Sequence, residues 1–285
     1  MSKGNRKRKT LQELTIKDNF MFGAVMTDEE NCRLFLEMVL GFPIERVIVS
    51  KEKSIIYHPE YKGIRLDVYA ADENHTHYNV EMQTSPEPSL GKRSRYYHSQ
   101  LDMELLSSGT PYEELPDTYV IFICDYDPWN KGKYRYTCHQ KCEETEIDLN
   151  DGRKTIYLST HGENEDEVPP ELVTFLKYVK ANLADSTKDF ENDYVKRLQD
   201  SVCHIKDSRE MEGRFMLLEE LIRRERKEAK LVERTDCILK TLKVLGPIPE
   251  ELYNQIEDEE DGSVLEKWFD VALHAKSIEE FAQNM

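Results

Sequence analysis

Two short alternating segments on either side of a polar turn constrain this chain more than any other feature. In Arg65–Ala71, Leu66, Val68 and Ala70 fall on one face, and Arg65, Asp67, Tyr69 and Ala71 on the other. In His77–Gln83, Tyr78, Val80 and Met82 share one face, and His77, Asn79, Glu81 and Gln83 the other. A period of two is the strand period. Asp72-Glu73-Asn74-His75-Thr76, between them, is turn chemistry. The spacing predicts an antiparallel hairpin with one buried and one polar face. Closed symmetrically about Asn74, it sets Asp67 opposite Glu81, with Cβ atoms about 4.5–5.5 Å apart.

Like charges that close repel unless a cation lies between them. Oxygen donors suit a hard divalent ion, Mg²⁺ or Mn²⁺. Gln83, one pleat further along the same face, would reach a ligand bound to that ion. The pattern alone leaves two readings open: a solvated polar strand face, or a metal site.

The rest of the chain supplies the setting. Lys17–Leu40 has helical periodicity interrupted near Asp28–Asn31, and Gly41-Phe42-Pro43 ends it. Glu45–Val49 reads as a short strand. Ser89–Ser107 reads as a helix with Leu90, Ser94, Tyr97, Leu101 and Leu105 on one stripe, stopped at Gly109. Thr118–Cys124 is a continuous apolar run, as in a central strand, and Tyr134–His139 and Thr155–Ser159 follow as strands. Beyond Asp185 strand signals cease, and three helical stretches are expected: Met211–Leu245, Ile248–Ile256 and Val264–Met285. The plan is a basic, disordered tail over 1–10, an α/β domain over 11–184 and a helical extension over 185–285.

Charge narrows the function. The 285 residues carry a formal net charge of −17, which argues against a protein that coats nucleic acid through general basicity. Lys3, Arg6, Lys7, Arg8 and Lys9 are all in the first nine residues, so the remainder is more acidic still. No apolar run is long enough to span a bilayer and no signal-peptide core follows the basic start, so a cytoplasmic protein with no membrane partner is expected. The six cysteines are too few for a disulfide scaffold in a chain of this length.

The order of motifs resembles a known family. Asp18-Asn19-Phe20-Met21-Phe22 precedes Asp67, then Glu81-Met82-Gln83, Arg93-Ser94-Arg95-Tyr96-Tyr97 and Gly109-Thr110-Pro111-Tyr112-Glu113-Glu114-Leu115-Pro116. Over about residues 10–180 this resembles the Rpn family of recombination-promoting nucleases and putative transposases, a branch of the PD-(D/E)XK nuclease superfamily. The resemblance implies an α/β (α+β), restriction-endonuclease-like mixed sheet flanked by helices, in the order α-β-β-β-α-β. It implies a Mg²⁺- or Mn²⁺-dependent DNA endonuclease linked to recombination or transposition. Asp67 and Glu81 would ligate the metal, with the Met82 carbonyl as an extra ligand. Gln83 stands where many members have Lys, and would orient the nucleophile or a phosphate oxygen. One acidic residue of the first helices would complete the set, with Asp18, Glu29 and Glu37 as candidates. The alternative is a nuclease-fold module that binds DNA or a protein partner without useful catalysis.

Outside the hairpin, Arg93 and Tyr97 lie one helical turn apart. Arg93 reads either as a phosphate contact or as a solvated helix residue, and Tyr97 either as its positioner or as core. Cys138, His139 and Cys142 lack zinc-site spacing, and His75 and His77 read as exposed turn residues. Arg223, Arg224, Arg226 and Lys227 alternate with glutamates as on a solvated helix, and would give only phosphate affinity if they met DNA. That helix could also pair two copies into a homodimer.

Overall fold

A computed structural model describes residues 9–51, 54–55 and 64–285 of the chain. The basic tail, apart from Lys9 and Thr10, lies outside the described residues. The described chain begins with helices α1 (Asn19–Met26) and α2 (Glu29–Leu40). Asp28 starts α2 by accepting from the Asn31 N–H at 2.9 Å, and Gly41, at φ +80°, ends it. Strands β1 (Val47–Lys51), β2 (Ser54–Ile55), β3 (Ile64–Arg65), β4 (Val68–Asp72) and β5 (His77–Gln83) follow. Helix α3 (Leu90–Leu105) leads to β6 (Thr118–Cys124), β7 (Arg135–Cys138) and β8 (Arg153–Ser159), then to helices α4 (Pro170–Lys180) and α5 (Asp193–Asp207). Helix α3 stops before Gly109, which instead turns the chain four residues after the helix ends, at φ +90°.

The main sheet runs β1-β4-β5-β6-β8-β7, and β2 pairs separately with β3. Strand β4 pairs antiparallel with β1 and β5, while β5–β6 and β6–β8 are parallel. The hairpin register is Val68 opposite Val80 and Ala71 opposite His77, so the hairpin closes about Asn74 as its alternation predicts. The succession α-β-β-β-α-β is therefore present, with β8 and β7 widening the sheet.

The expected solvated face of the hairpin is not there. Asn79 and Glu81 are both 0% exposed. The reason is topological. A parallel neighbour can be reached only by a crossover, and that crossover is α3. Leu90, Tyr97 and Leu101 of α3 pack over Tyr69, Val120, Phe122 and Tyr157 and seal the face. The opposite face, with Tyr78, Val80, Met82, Ile121 and Ile123, is equally dry. His77 also departs from expectation: its Nδ1 lies 2.6 Å from the Tyr69 hydroxyl, while His75 is exposed.

A polar rivet fastens α3 to the sheet. His98 is 1% exposed, with Nδ1 2.9 Å from Thr118 Oγ1 and Nε2 3.0 Å from Thr155 Oγ1. Burial first, then the charge of Arg153, lowers the His98 pKa to about 4. In the unfolded chain the same imidazole takes a proton near pH 6.5. The folded state therefore binds fewer protons in that window, and stability drains away as pH falls from about 6.5 to about 4. The loss should approach 3 kcal/mol. Urea unfolding at neutral pH and near pH 4.5 should show it, and His98→Gln should flatten the slope. An unchanged slope in that variant would remove His98 as the cause.

The chain divides into two compact units, Met1–Met211 and Glu212–Met285. The composition change at Asp185 precedes this division, because α5 packs on α1, α2 and α4. The Tyr194 hydroxyl, for instance, donates to the Asn31 carbonyl at 2.9 Å. The long helix α6 (Arg209–Leu245) leads into α7 (Glu250–Glu257), α8 (Gly262–His274) and α9 (Ile278–Asn284). Ile238 and Leu242 of α6 share a core with Leu252, Ile256, Leu265, Trp268 and Phe281. The single helix expected over Val264–Met285 is thus two, split where Ser277 caps α9 by accepting from the Glu280 N–H.

Candidate active site

The acid pair sits where the hairpin ladder ends. The last β4–β5 partners are Val68 and Val80. Asp67 therefore lies in a bend just before β4 rather than on it. Its carboxylate Oδ2 accepts from the Met82 N–H at 3.1 Å, and its own N–H donates to Glu81 Oε1 at 3.2 Å. Two side chains thus replace the next rung of backbone hydrogen bonds and lock the carboxylates side by side. Gly23 of α1 backs this bend: a Cβ there would lie 3.6 Å from the Asp67 carbonyl oxygen.

Met82 enters through its N–H, and its carbonyl leaves the same edge of the strand. The His77 N–H donates to Asp117 and the Gln83 carbonyl accepts from Asp125, so odd-numbered residues of β5 turn their backbone groups towards β6. Even-numbered residues turn theirs towards β4 and Asp67.

Helix α3 supplies the third charge. Arg93 donates from Nη2 to Glu81 Oε2 at 3.0 Å, from Nη1 to Gln83 Oε1 at 3.2 Å and from Nε to the Tyr97 hydroxyl at 2.7 Å. The Tyr97 hydroxyl in turn donates to Glu81 Oε2 at 3.3 Å. Tyr97 is also core, 5% exposed and stacked on Phe122 at 6.2 Å. Both readings of Tyr97 therefore hold together. The guanidinium carbon lies 5.1 Å from the Tyr97 ring centre, which fixes its plane.

The electrostatics are lopsided. Burial first, then the Asp67 charge, pushes the Glu81 carboxyl well above the ordinary carboxylate range, while Arg93 pulls the other way. Burial and Glu81 raise the Tyr97 hydroxyl, which keeps it a donor. Two carboxylates held this close in a low-dielectric site repel each other, and Arg93 meets Glu81 from the helix side. Asn79, two residues before Glu81 on the same face, was not singled out from the sequence. Its amide lies close enough to favour the charged form of Glu81 but makes no hydrogen bond of normal geometry.

The first helices add no third acid. Asp18 accepts from the Thr15 N–H and Lys9, and Glu37 from Arg33 and the Ile44 N–H. Glu29 is exposed in the first turn of α2. Among the described residues no three His, Cys, Asp or Glu side chains gather as a metal would require, Cys138, His139 and Cys142 included. The donor set is the pair itself. It fits Mg²⁺, which is commonly held by one or two carboxylates and completes its shell with water and substrate phosphates.

A family model described as PD-(D/E)XK nuclease family transposase matches residues 16–213. No curated protein and no solved structure matches the chain.

Proposed function

The chain belongs to the PD-(D/E)XK nuclease transposase family, and from that membership and its acid pair we propose a metal-dependent DNA endonuclease acting in recombination or transposition of mobile DNA. The observation that carries the proposal is the wholly buried Glu81 locked beside Asp67, two acids on one strand edge where a hard cation fits. Asp67 and Glu81 would hold Mg²⁺ or Mn²⁺, with the Met82 carbonyl on the same edge. A bound divalent ion makes water a stronger nucleophile and offsets charge building on the phosphate.

The remaining roles follow from hydrogen-bonding capacity. Gln83 cannot act as a base and adds no charge. Its carbonyl oxygen already accepts from Arg93, which turns the NH₂ end away to donate to a phosphate oxygen. Arg93 uses three of its five donors inside the site and keeps the others for the DNA backbone. Tyr97 holds that guanidinium in place. No helix among the described residues is long and apolar enough to cross a membrane. Met216, Leu217, Leu221 and Val232 are exposed along α6 at spacings that do not follow a heptad, so no homodimer is proposed.

Supercoiled plasmid at low salt tests the proposal. Nicking with Mg²⁺ or Mn²⁺, none with EDTA, and none from Asp67→Ala are expected. A second reading, a binding module without cleavage, draws on Gln83 in place of a cation. It would be favoured by metal-independent DNA binding that Asp67→Ala leaves unchanged, with no nicking.

Metal and proton should also compete for Glu81. A carboxyl whose proton affinity is raised must release that proton to become a ligand. Apparent Mn²⁺ affinity should therefore weaken as pH falls through neutrality, and binding should release protons. Calorimetry in two buffers of different ionisation enthalpy would show the release. Identical heats would count against Glu81 as a ligand.

A further inference from the structure

A cavity of about 1020 Å³ opens at the carboxyl ends of β5, β6 and β8, past the end of the strand that carries Glu81 and Gln83. Its walls are the segments Pro86–Gly91, Asp125–Gly132 and His161–Glu163. One backbone bond ties its wall to the site: the Asp125 N–H donates to the Gln83 carbonyl at 2.9 Å. The carboxyl ends of parallel strands are where open sheets of this kind take ligands.

Its chemistry is specific. Trp129 is 43% exposed and is held edge-on by Tyr136 and Tyr157, each with ring centres 4.8 Å away. That is a rigid aromatic surface facing solvent. Tyr126, also in the lining, has a buried hydroxyl with no hydrogen-bond partner. Four carboxylates, Glu87, Asp125, Asp127 and Glu163, outnumber Lys131 and His161, so the cavity repels phosphate. Three of those acids are spent on the walls, Glu87 by accepting from the Ser89 N–H and hydroxyl. Asp127 accepts from the Trp129 N–H, the Gly132 N–H and the Tyr136 hydroxyl, and Asp125 from Lys17 and the Thr160 hydroxyl. Glu163 is not tied up in this way. The small backbone at Gly132 lets it approach, with Oε2 3.3 Å from where a Cβ would stand.

We propose that this cavity receives one unstacked nucleobase of the strand held at the acid pair, stacked on Trp129, with adenine or cytosine preferred over thymine. Adenine and cytosine carry an exocyclic amino group that a carboxylate accepts from, whereas the N3–H of thymine lies between two carbonyl oxygens that the carboxylate repels. The inference rests on the nuclease reading for what places DNA there. The space is at the upper end of small-molecule clefts and takes a base with its sugar, the phosphates staying outside.

The test is binding of short single strands of deoxyadenosine, deoxycytidine or thymidine, at low salt with EDTA, read by fluorescence anisotropy. Plasmid nicking is measured in parallel. Wild type should bind the first two about tenfold tighter than the third. Trp129→Ala should lose about tenfold for both, the range of one base–aromatic stack. Gly91→Leu fills the cavity from a position where an added Cβ meets nothing within 4 Å. It should erase the preference without disturbing the fold. Equal affinity for all three strands, or wild-type binding by both variants, overturns the cavity proposal while Asp67-dependent nicking still stands. Base preference that both variants abolish, in a protein without Asp67-dependent nicking, supports the cavity and overturns the nuclease reading alone.

Discussion

Glu81→Gln should lose plasmid nicking by about a thousandfold or more while melting no lower than wild type. The size follows from removing a ligand of an ion that contributes several kcal/mol to the transition state, each 1.36 kcal/mol being tenfold in rate. The stability follows from charge. Gln keeps an oxygen for Arg93 and Tyr97 and removes a charge that Asp67 repels, which offsets the loss of the Oε1 acceptor for the Asp67 N–H. Wild type instead buries a second carboxylate that Asp67 repels. The metal-induced rise in melting temperature, which measures preferential binding to the folded state, should vanish with the activity. A structural ion pair predicts the reverse: lower melting temperature with cleavage intact. That outcome would remove Glu81 from the chemistry.

Arg93→Met should do the opposite to the fold. It takes away the guanidinium that contacts the buried Glu81, and removing one partner of a buried ion pair costs about 3–5 kcal/mol. The loss should depend on pH in a defined sense. Glu81 in the folded state holds its proton more tightly than a glutamate in the unfolded chain. The folded state therefore binds more protons above the ordinary glutamate range, and stability falls as pH rises. Without Arg93 that fall should be steeper. Acidification should restore the variant towards wild type, and so should millimolar Mg²⁺ or Mn²⁺. Comparing the variant with wild type at each pH cancels the contribution of His98, which runs the other way. Denaturation curves that show no loss, or a loss that neither acid nor metal repairs, would show that Arg93 does not neutralise the pair.

The acid pair was legible in the sequence because a strand alternates with period two and a polar turn fixes the centre of a hairpin. Asp67 and Glu81 could therefore be placed together from local pattern alone, and Arg93 and Tyr97 followed from helical spacing. The environment of the pair was not legible. Whether the polar face of β5 meets water depends on β6 and α3, and the alternation of the hairpin says nothing about either. The bend at Asp67 was hidden for the same reason: the Asp67 carboxylate accepting from the Met82 N–H, and the Glu81 carboxylate accepting from the Asp67 N–H, replace the backbone rung that a regular strand would have made. The break between α8 and α9 was written in the sequence, since Ser277 with Glu280 is a capping signature. Helical periodicity on either side masked it. The cavity walls come from three loops far apart in the chain, and no local signal links Trp129 to Glu163.

The parallel pairing of β5 with β6 has a consequence for how the molecule comes into being. A chain emerging from the ribosome can close the β4–β5 hairpin at once, since its contacts are local. The same chain cannot cover Glu81 until α3 has crossed over and β6 has docked, and β6 must in turn be flanked by β8, which begins at Arg153. Contacts so distant in sequence form late and slowly. The nascent hairpin would carry its two carboxylates in water, with nearly ordinary acidity and little hold on a metal ion. Cleavage competence would therefore arrive with the last central strands rather than with the acids themselves, and truncated products that stop short of β8 would be inert towards DNA.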